Sequence, residues 1–351
     1  MNPPIYAKYW TKKLGAEIDS LTQLRGGINN QVFRCGSEHH YWVIKTYRAD
    51  EPDKRDRMKA EVDFLRYSAS VAPNFTPAII EVDRARRCVV MEHISGEQYP
   101  EGASPSKKDI EDALRFLREI NGSPKLAREM IQLDAADGFL SLRQHMDNVY
   151  CRLALMGTVH LPHQYKPQAQ EILDTLYKRA EIAESRLEAK INAGMVADSL
   201  DPSDRCISPS DFGFHNAIRT SDKVKFIDFE FAGWDDPAKA CVDFVLQQRN
   251  PVHLAPLEVA YRLFREKEER IAGRIDAIFE ILRLKWLCII LGVLNPTRLN
   301  RMLELGDPVT IESIIANQLR RYREYMAAHS IHQQEGDNTP LDPEKIRAPS
   351  A

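Results

Sequence analysis

Asp211 and Asn216, five positions apart, and Asp228 beyond them are the residues whose types and spacing best suit chemistry. A loop carboxylate can orient a hydroxyl group and accept its proton. An amide oxygen and a second carboxylate are the hard donors that magnesium favours. Phosphoryl transfer asks for little more than these and charges that hold the phosphates. Asp211 therefore suits the base, and Asn216 and Asp228 suit the metal. Taken singly each is commonplace, because a loop aspartate is more often a turn or cap residue.

The phosphate-holding charges are expected upstream. In Arg25-Gly26-Gly27-Ile28-Asn29-Asn30, Gly26 and Gly27 let backbone amides approach a phosphate without a Cβ clash. Lys45 lies near the end of the aromatic and β-branched run Tyr41 to Tyr47, where it would set a point charge on the phosphates. Glu61 follows sixteen positions later, on a helical pattern, and is expected to pair with Lys45 and aim it.

These residues need particular elements beneath them. Leu21 to Leu24 and Gln31 to Gly36 read as a hairpin around the Gly/Asn cluster, and Tyr41 to Tyr47 as a strand. One helix follows at about Asp53 to Ser68, then two strands, Ala78 to Val82 and Cys88 to Glu92. After Gly96 the pattern is helical at about 105–121, 141–155 and 168–193, and again from about Leu257. Between these, Ala217-Ile218-Arg219 and Val224 to Ile227 are short strands. A hairpin there would bring Asn216 and Asp228 to one end of a ribbon. Asp236 and Asp243 read as helix caps and Trp286 as core; His215 fits equally a contact to substrate or phosphate and a loop support, and Glu230 an assistant to the metal or a strand-end carboxylate with a structural partner.

With 351 residues the chain exceeds one ordinary core. Its formal charge of -3 offers no bulk attraction to nucleic acid or anionic membranes. Six scattered cysteines without a CxxC pair argue against a zinc ribbon or a redox dithiol. The N-terminus lacks the apolar core of a signal peptide, and the most apolar stretch, Trp286 to Leu294, is far shorter than a membrane span. A cytoplasmic enzyme is the expectation, with no nucleic-acid or membrane partner; oligomeric state is left open.

In their order, Gly26-Gly27, Lys45, Glu61, Asp211, Asn216 and Asp228 resemble the protein-kinase-like phosphotransferases. Ile227-Asp228-Phe229-Glu230 and the following Ala232 to Ala238 resemble the aminoglycoside phosphotransferase and choline kinase branch. The resemblance runs roughly from Leu21 to Phe244. It departs at Pro209, where that branch has histidine two positions before the base, and in a Gly-rich turn that is not GxGxxG.

The resemblance implies an α+β, two-lobed protein-kinase-like fold. Residues 1–95 would form a β-rich nucleotide-binding lobe and 96–331 a larger, mainly helical catalytic and acceptor-binding lobe. Residues 332–351 lie outside the resemblance and, being polar and Pro-rich, would be a disordered tail. The resemblance further implies ATP and Mg2+ as cofactors, with phosphate passing to a hydroxyl of a sugar, an aminoglycoside-like compound or an amino-alcohol. Backbone groups of the connector near Glu92 to Ile94 are where it implies that adenine binds. A nucleotide-binding pseudokinase and a kinase-fold nucleotidyltransferase are the alternatives.

Overall fold

The computed structural model describes residues 3–15, 18, 20–24, 30–36, 40–48, 55–265, 268–305 and 310–328. Gly26, Gly27 and the tail from 332 lie outside the described residues. The chain forms two compact units, each of two stretches: 1–140 with 199–253, and 141–198 with 254 onward.

The first unit opens with α1 (Pro3–Leu14). The sequence pattern points to one helix in the first hundred residues; there are two. Prolines in the first helical turn cost nothing, because the amides there have no intrahelical acceptor. Fully buried Trp10 anchors α1 in a core with Ile18, Cys35, Ile44, Cys88 and Val90. That tertiary burial, and not a periodic pattern, secures the helix.

The strands β1 (Ser20–Gln23), β2 (Asn30–Gly36), β3 (Tyr41–Tyr47), β4 (Ile79–Asp83) and β5 (Cys88–Glu92) form an antiparallel sheet in the order β1-β2-β3-β5-β4. Lys45 is on the central strand, facing Val32 on one side and Val89 on the other. Helix α2 (Arg57–Val71) interrupts the strands, starting later than its charged approach suggests. Asp56 sets that start by accepting a hydrogen bond from the Lys59 amide at 3.0 Å.

After β6 (Glu97–Gln98), α3 (Lys107–Ile120) begins with a reciprocal capping box between Ser106 and Asp109, and α4 (Pro124–Met130) follows. Helices α5 (Leu142–Ala154) and α6 (Lys166–Asn192) belong to the second unit. The first unit resumes with β7 (Cys206–Ser208), β8 (Ala217–Arg219), β9 (Val224–Phe226), β10 (Gly233–Asp235) and α7 (Pro237–Leu246). β8 and β9 form the expected hairpin, with β6 added beside β8, while β7 pairs with β10.

An aromatic cluster underlies this region. Phe116 of α3 has ring neighbours Phe226 at 5.1 Å, Phe75 at 5.5 Å and Phe212 at 5.8 Å, and Phe229 stacks on Phe64 of α2 at 4.5 Å. Phe212 and Phe229 directly follow Asp211 and Asp228, so both loops are seated in one core by the residue after the carboxylate.

Helix α7 is capped by Asp236, as expected. Asp243 is no cap: it lies inside α7 and meets Lys239 at 3.3 Å, one turn away. Lys239 also meets Asp235 of β10 at 2.7 Å, a fully buried pair that ties α7 to the strand beside β7. Burial pushes the Asp235 carboxyl up to about 6, against the opposing Lys239 charge.

In the second unit α5 and α6 pack on α9 (Glu268–Ile290), together with α8 (Pro256–Leu263) and α11 (Ile311–Ala328), while α10 (Pro296–Leu305) packs on the turn Gly292–Leu294. Trp286 is core, as its neighbours Leu284 and Leu287 suggest. Among the described residues no helix is long and apolar enough to cross a membrane.

Candidate active site

β7 delivers the chain into a tight loop. Ser210 has φ +66°, a left-handed conformation that costs a non-glycine residue about 1–2 kcal/mol. Its hydroxyl donates to the Ala136 carbonyl at 3.1 Å, which helps to hold the turn. Asp211 follows, partly exposed. His215 Nε2 lies 3.1 Å from its Oδ1. The Asn216 amide nitrogen donates to the Asp211 backbone carbonyl at 3.0 Å. A carbonyl can only accept, so the amide must present its nitrogen there, which turns its oxygen away and leaves it available to a cation.

The hairpin then carries the chain to Asp228. Ile227 N–H donates to the Asn216 carbonyl at 2.9 Å, extending the β8–β9 pairing by one step. Asp228 itself has φ +68°. Aspartate tolerates this conformation better than most residues. The Phe229 amide donates to Glu61 Oε1 at 3.3 Å. Phe64, one turn after Glu61, stacks on Phe229, so one face of α2 fixes the segment twice.

Lys45 is the electrostatic hub. Its Nζ lies 2.6 Å from Glu61, 2.5 Å from Asp228 and 3.7 Å from Glu230. Burial opposes its charge, but Asp228, Glu61 and Glu230 outweigh this and hold its pKa well above the ordinary lysine value. Lys45 and Glu61 side chains are 5% and 2% exposed, whereas that of Asp228 is 36% exposed. Asp228 is thus the most exposed carboxylate of the cluster.

Glu61 also accepts from the Tyr47 hydroxyl at 2.6 Å. Burial, with the Glu61 charge and hydrogen bond, drives the Tyr47 pKa well up, so it remains a donor. Glu230 accepts from the Asn30 side chain and lies 3.6 Å from Arg57. The structure therefore gives Glu230 a partner in Lys45 that sequence reasoning did not assign.

Glu92 lies three ladder pairs beyond Lys45's partner Val89, about 10 Å along the sheet. Its amide donates to the Ala78 carbonyl at 2.8 Å, and its carboxylate lies 3.3 Å from Lys225. Ile94 is buried two positions on.

Sequence reasoning missed Tyr47, although its spacing of two from Lys45 puts both on one face of β3. It also missed Arg55, whose guanidinium donates to the carbonyls of Asp134 at 2.5 Å, Ala232 at 2.7 Å and Glu230 at 3.2 Å. Nothing in the spacing of Arg55 marks it, because its acceptors are backbone groups.

A family model described as the phosphotransferase enzyme family (APH) matches residues 20–245, well over half of the chain. The chain belongs to this family. No curated relative matches at the sequence level. Among solved structures it is similar to a spectinomycin phosphotransferase in complex with ADP and spectinomycin, at 13% identity and TM-score 0.57 over 91% of this chain and 99% of that one. A choline kinase from Cryptosporidium parvum Iowa II gives 12% identity and TM-score 0.55, over 95% and 97%. A choline kinase from Streptococcus pneumoniae gives 16% and 0.51, over 93% and 99%. The fold is thus the kinase-like α+β fold of the phosphotransferase family: antiparallel sheet in the N-terminal part, mainly helical towards the C-terminus.

Pro209 gains a meaning in this phosphotransferase. No imidazole precedes Asp211 by two positions, yet His215 supplies one from four positions after it. Burial opposes the Asp211 charge, while His215, the Arg249 charge and Asn216 together hold its pKa below the ordinary aspartate value. A depressed value keeps the carboxylate charged as pH falls, and that contribution is lost only when pH drops through the folded-state pKa. His215→Leu is therefore expected to move the acid limb of the kcat/KM profile to higher pH. A pH–rate series on both proteins checks this; an unmoved limb would separate His215 from Asp211.

Proposed function

We propose that this chain transfers the γ-phosphoryl group of ATP, with magnesium, to a hydroxyl group of a small molecule. The observation that carries the reading is the β8–β9 hairpin, which links an Asp211–Asn216 pair at one end to Asp228, itself on Lys45. Family membership supports phosphotransfer, and the ADP in a similar structure supports an adenine nucleotide.

In this reading Asp211 accepts a hydrogen bond from the acceptor hydroxyl and aligns its oxygen on the γ-phosphorus. The oxygen–phosphorus bond forms as the bond from the γ-phosphorus to the β,γ-bridging oxygen breaks, and ADP leaves. The hydroxyl proton passes to Asp211 and then to solvent. Lys45, aimed by Glu61, holds the nucleotide phosphates, and the Ile94 amide serves the adenine.

Asn216 and Asp228 would hold magnesium, which supplies neutralisation of charge at the phosphates. The donor set fits: Asn216 turns its amide oxygen outward and Asp228 is the exposed carboxylate of the Lys45 cluster. Among the described residues no group of three or more His, Cys, Asp and Glu side chains could hold a metal by itself. Magnesium bound by one or two carboxylates and substrate phosphates needs no such group.

Incubation with ATP, magnesium and a library of alcohols, read by ADP release and product mass, tests the reading. A gain of one phosphate on a small molecule is expected. Adenylate on a protein would replace it with the nucleotidyltransferase alternative, and magnesium-dependent binding without any turnover would make the chain a pseudokinase.

A further inference from the structure

The chain after Asp228 is zipped onto the short segment Leu133 to Ala136. Ala136 N–H donates to the Phe231 carbonyl at 2.9 Å and Ala135 N–H to the Trp234 carbonyl at 2.8 Å. Trp234 N–H returns a bond to the Leu133 carbonyl at 3.0 Å. The two backbones approach so closely that a Cβ on Gly233 would stand 2.4 Å from the Leu133 oxygen. Arg55 clamps both, donating to the carbonyls of Asp134 at 2.5 Å and Ala232 at 2.7 Å.

Ser210 fastens the loop of Asp211 to the same segment. The β7–β10 ladder ends at the pair Ser208 and Gly233, three residues short of Asp211. The Asp211 amide bonds locally, to the Pro209 carbonyl at 3.0 Å. Between ladder and carboxylate, the Ser210 hydroxyl reaches out to the Ala136 carbonyl at 3.1 Å. One residue, Ala136, thus holds Phe231 through its amide and Ser210 through its carbonyl. With the Ile227 amide on the Asn216 carbonyl at 2.9 Å, a ring closes: Ser210 to Asn216, the hairpin, Ile227 to Phe231, and Ala136 back to Ser210. Asp211 and Asp228 lie on arms of this ring that are tied at both ends.

The backbone alone does not call for serine here. At φ +66° glycine would make the turn without cost, whereas serine carries the left-handed penalty. What serine adds is the hydroxyl, and the hydroxyl is spent on the segment that also holds the chain after Asp228.

We propose that Ser210 is a positioning residue for phosphoryl transfer: through the Ala136 carbonyl it fixes the Asp211 carboxylate relative to Asp228, and so aligns the acceptor hydroxyl with the γ-phosphorus. This rests on the phosphotransferase reading above. Ser210 acts through Asp211, and leaves the proton and the bond exchange at phosphorus as already described. A reactant displaced by about 1 Å can lose about 100-fold in rate, while nucleotide binding on Lys45 does not depend on that alignment.

Ser210→Ala and Ser210→Gly in the full chain test this, because they separate hydroxyl from backbone. Both lose the bond to Ala136, but alanine keeps the left-handed cost and glycine does not. Urea denaturation should therefore rank alanine below glycine. ADP release is measured with magnesium-ATP and the fastest alcohol of the library, or with water where no alcohol is faster. Both variants should lose about 10- to 100-fold in kcat, with KM for ATP within about threefold of the parent.

A kcat loss below about tenfold in either variant overturns the proposal, as does a loss carried mainly by KM for ATP. So does a rate that follows stability, low in alanine and parental in glycine, which would leave the hydroxyl as a turn support alone. A parent chain that releases no ADP with any acceptor removes the phosphotransferase reading and this inference together. A parent that turns over beside unaffected variants removes this inference alone.

Discussion

Asp228→Asn should slow phosphoryl transfer by about 100- to 1,000-fold and leave the fold intact, by analogy with the loss of one preorganised electrostatic group. Asparagine adopts the left-handed backbone at φ +68° as readily as aspartate, so the exchange removes charge without adding strain. Lys45 keeps Glu61 at 2.6 Å and Glu230 at 3.7 Å, so no buried charge is orphaned. The exposed position of Asp228 keeps its desolvation cost small in either form. Single-turnover ADP formation beside a urea melt separates the two effects. A rate within tenfold of the parent would remove Asp228 from the chemistry.

Asp228→Gly extends the same prediction. Glycine relieves the left-handed strain, so stability should hold or rise by up to about 1 kcal/mol, while the rate falls as in the asparagine variant. A left-handed non-glycine residue at φ +68° is the kind of retained strain that motivates the functional role proposed for Asp228.

The contrast between Lys45 and Glu230 shows what the sequence could convey. Lys45 was legible because a strand of aromatic and β-branched residues declares itself locally, and Glu61 because a helix follows at a workable distance. The hairpin from Asn216 to Asp228 was legible for the same reason: it is short, and its ends define it. Glu230 sits beside Asp228 in sequence, but its partner Asn30 lies 200 positions away. No periodicity relates them. Arg55 and the left-handed Ser210 were hidden because their work is done on backbone groups, whose chemistry every residue shares. Helix α1 was hidden because the burial of Trp10 decides it, and burial is a tertiary fact. His215 was visible next to Asn216, but its contact with Asp211 depends on the close approach at Gly213. That approach is set by Gln247 from beyond the hairpin.

Lys45→Met should be the most destabilising single change in the candidate site, at about 3–5 kcal/mol. The reason lies in what it leaves behind. Glu61 is 1% exposed and Glu230 2%; Glu61 loses the ammonium that offsets its burial, while Glu230 loses Lys45 but keeps Arg57 at 3.6 Å. Tyr47, the Phe229 amide, Asn30 and Arg57 still face these carboxylates, so hydrogen bonds survive; the missing quantity is charge. Adding Glu61→Gln to Lys45→Met should therefore recover stability, because the neutral amide needs no counter-ion: its oxygen can accept from the Phe229 amide while its nitrogen donates to the Tyr47 hydroxyl oxygen. The two changes should couple by more than about 1 kcal/mol in a double-mutant cycle read by urea denaturation. Activity should stay lost in both variants, since neither restores a charge for the phosphates. A recovery of stability without rate would separate the compensation of buried carboxylates by Lys45 from the nucleotide-holding role proposed for it. A Lys45→Met protein as stable as the parent would instead mean that Glu61 and Glu230 do not depend on it.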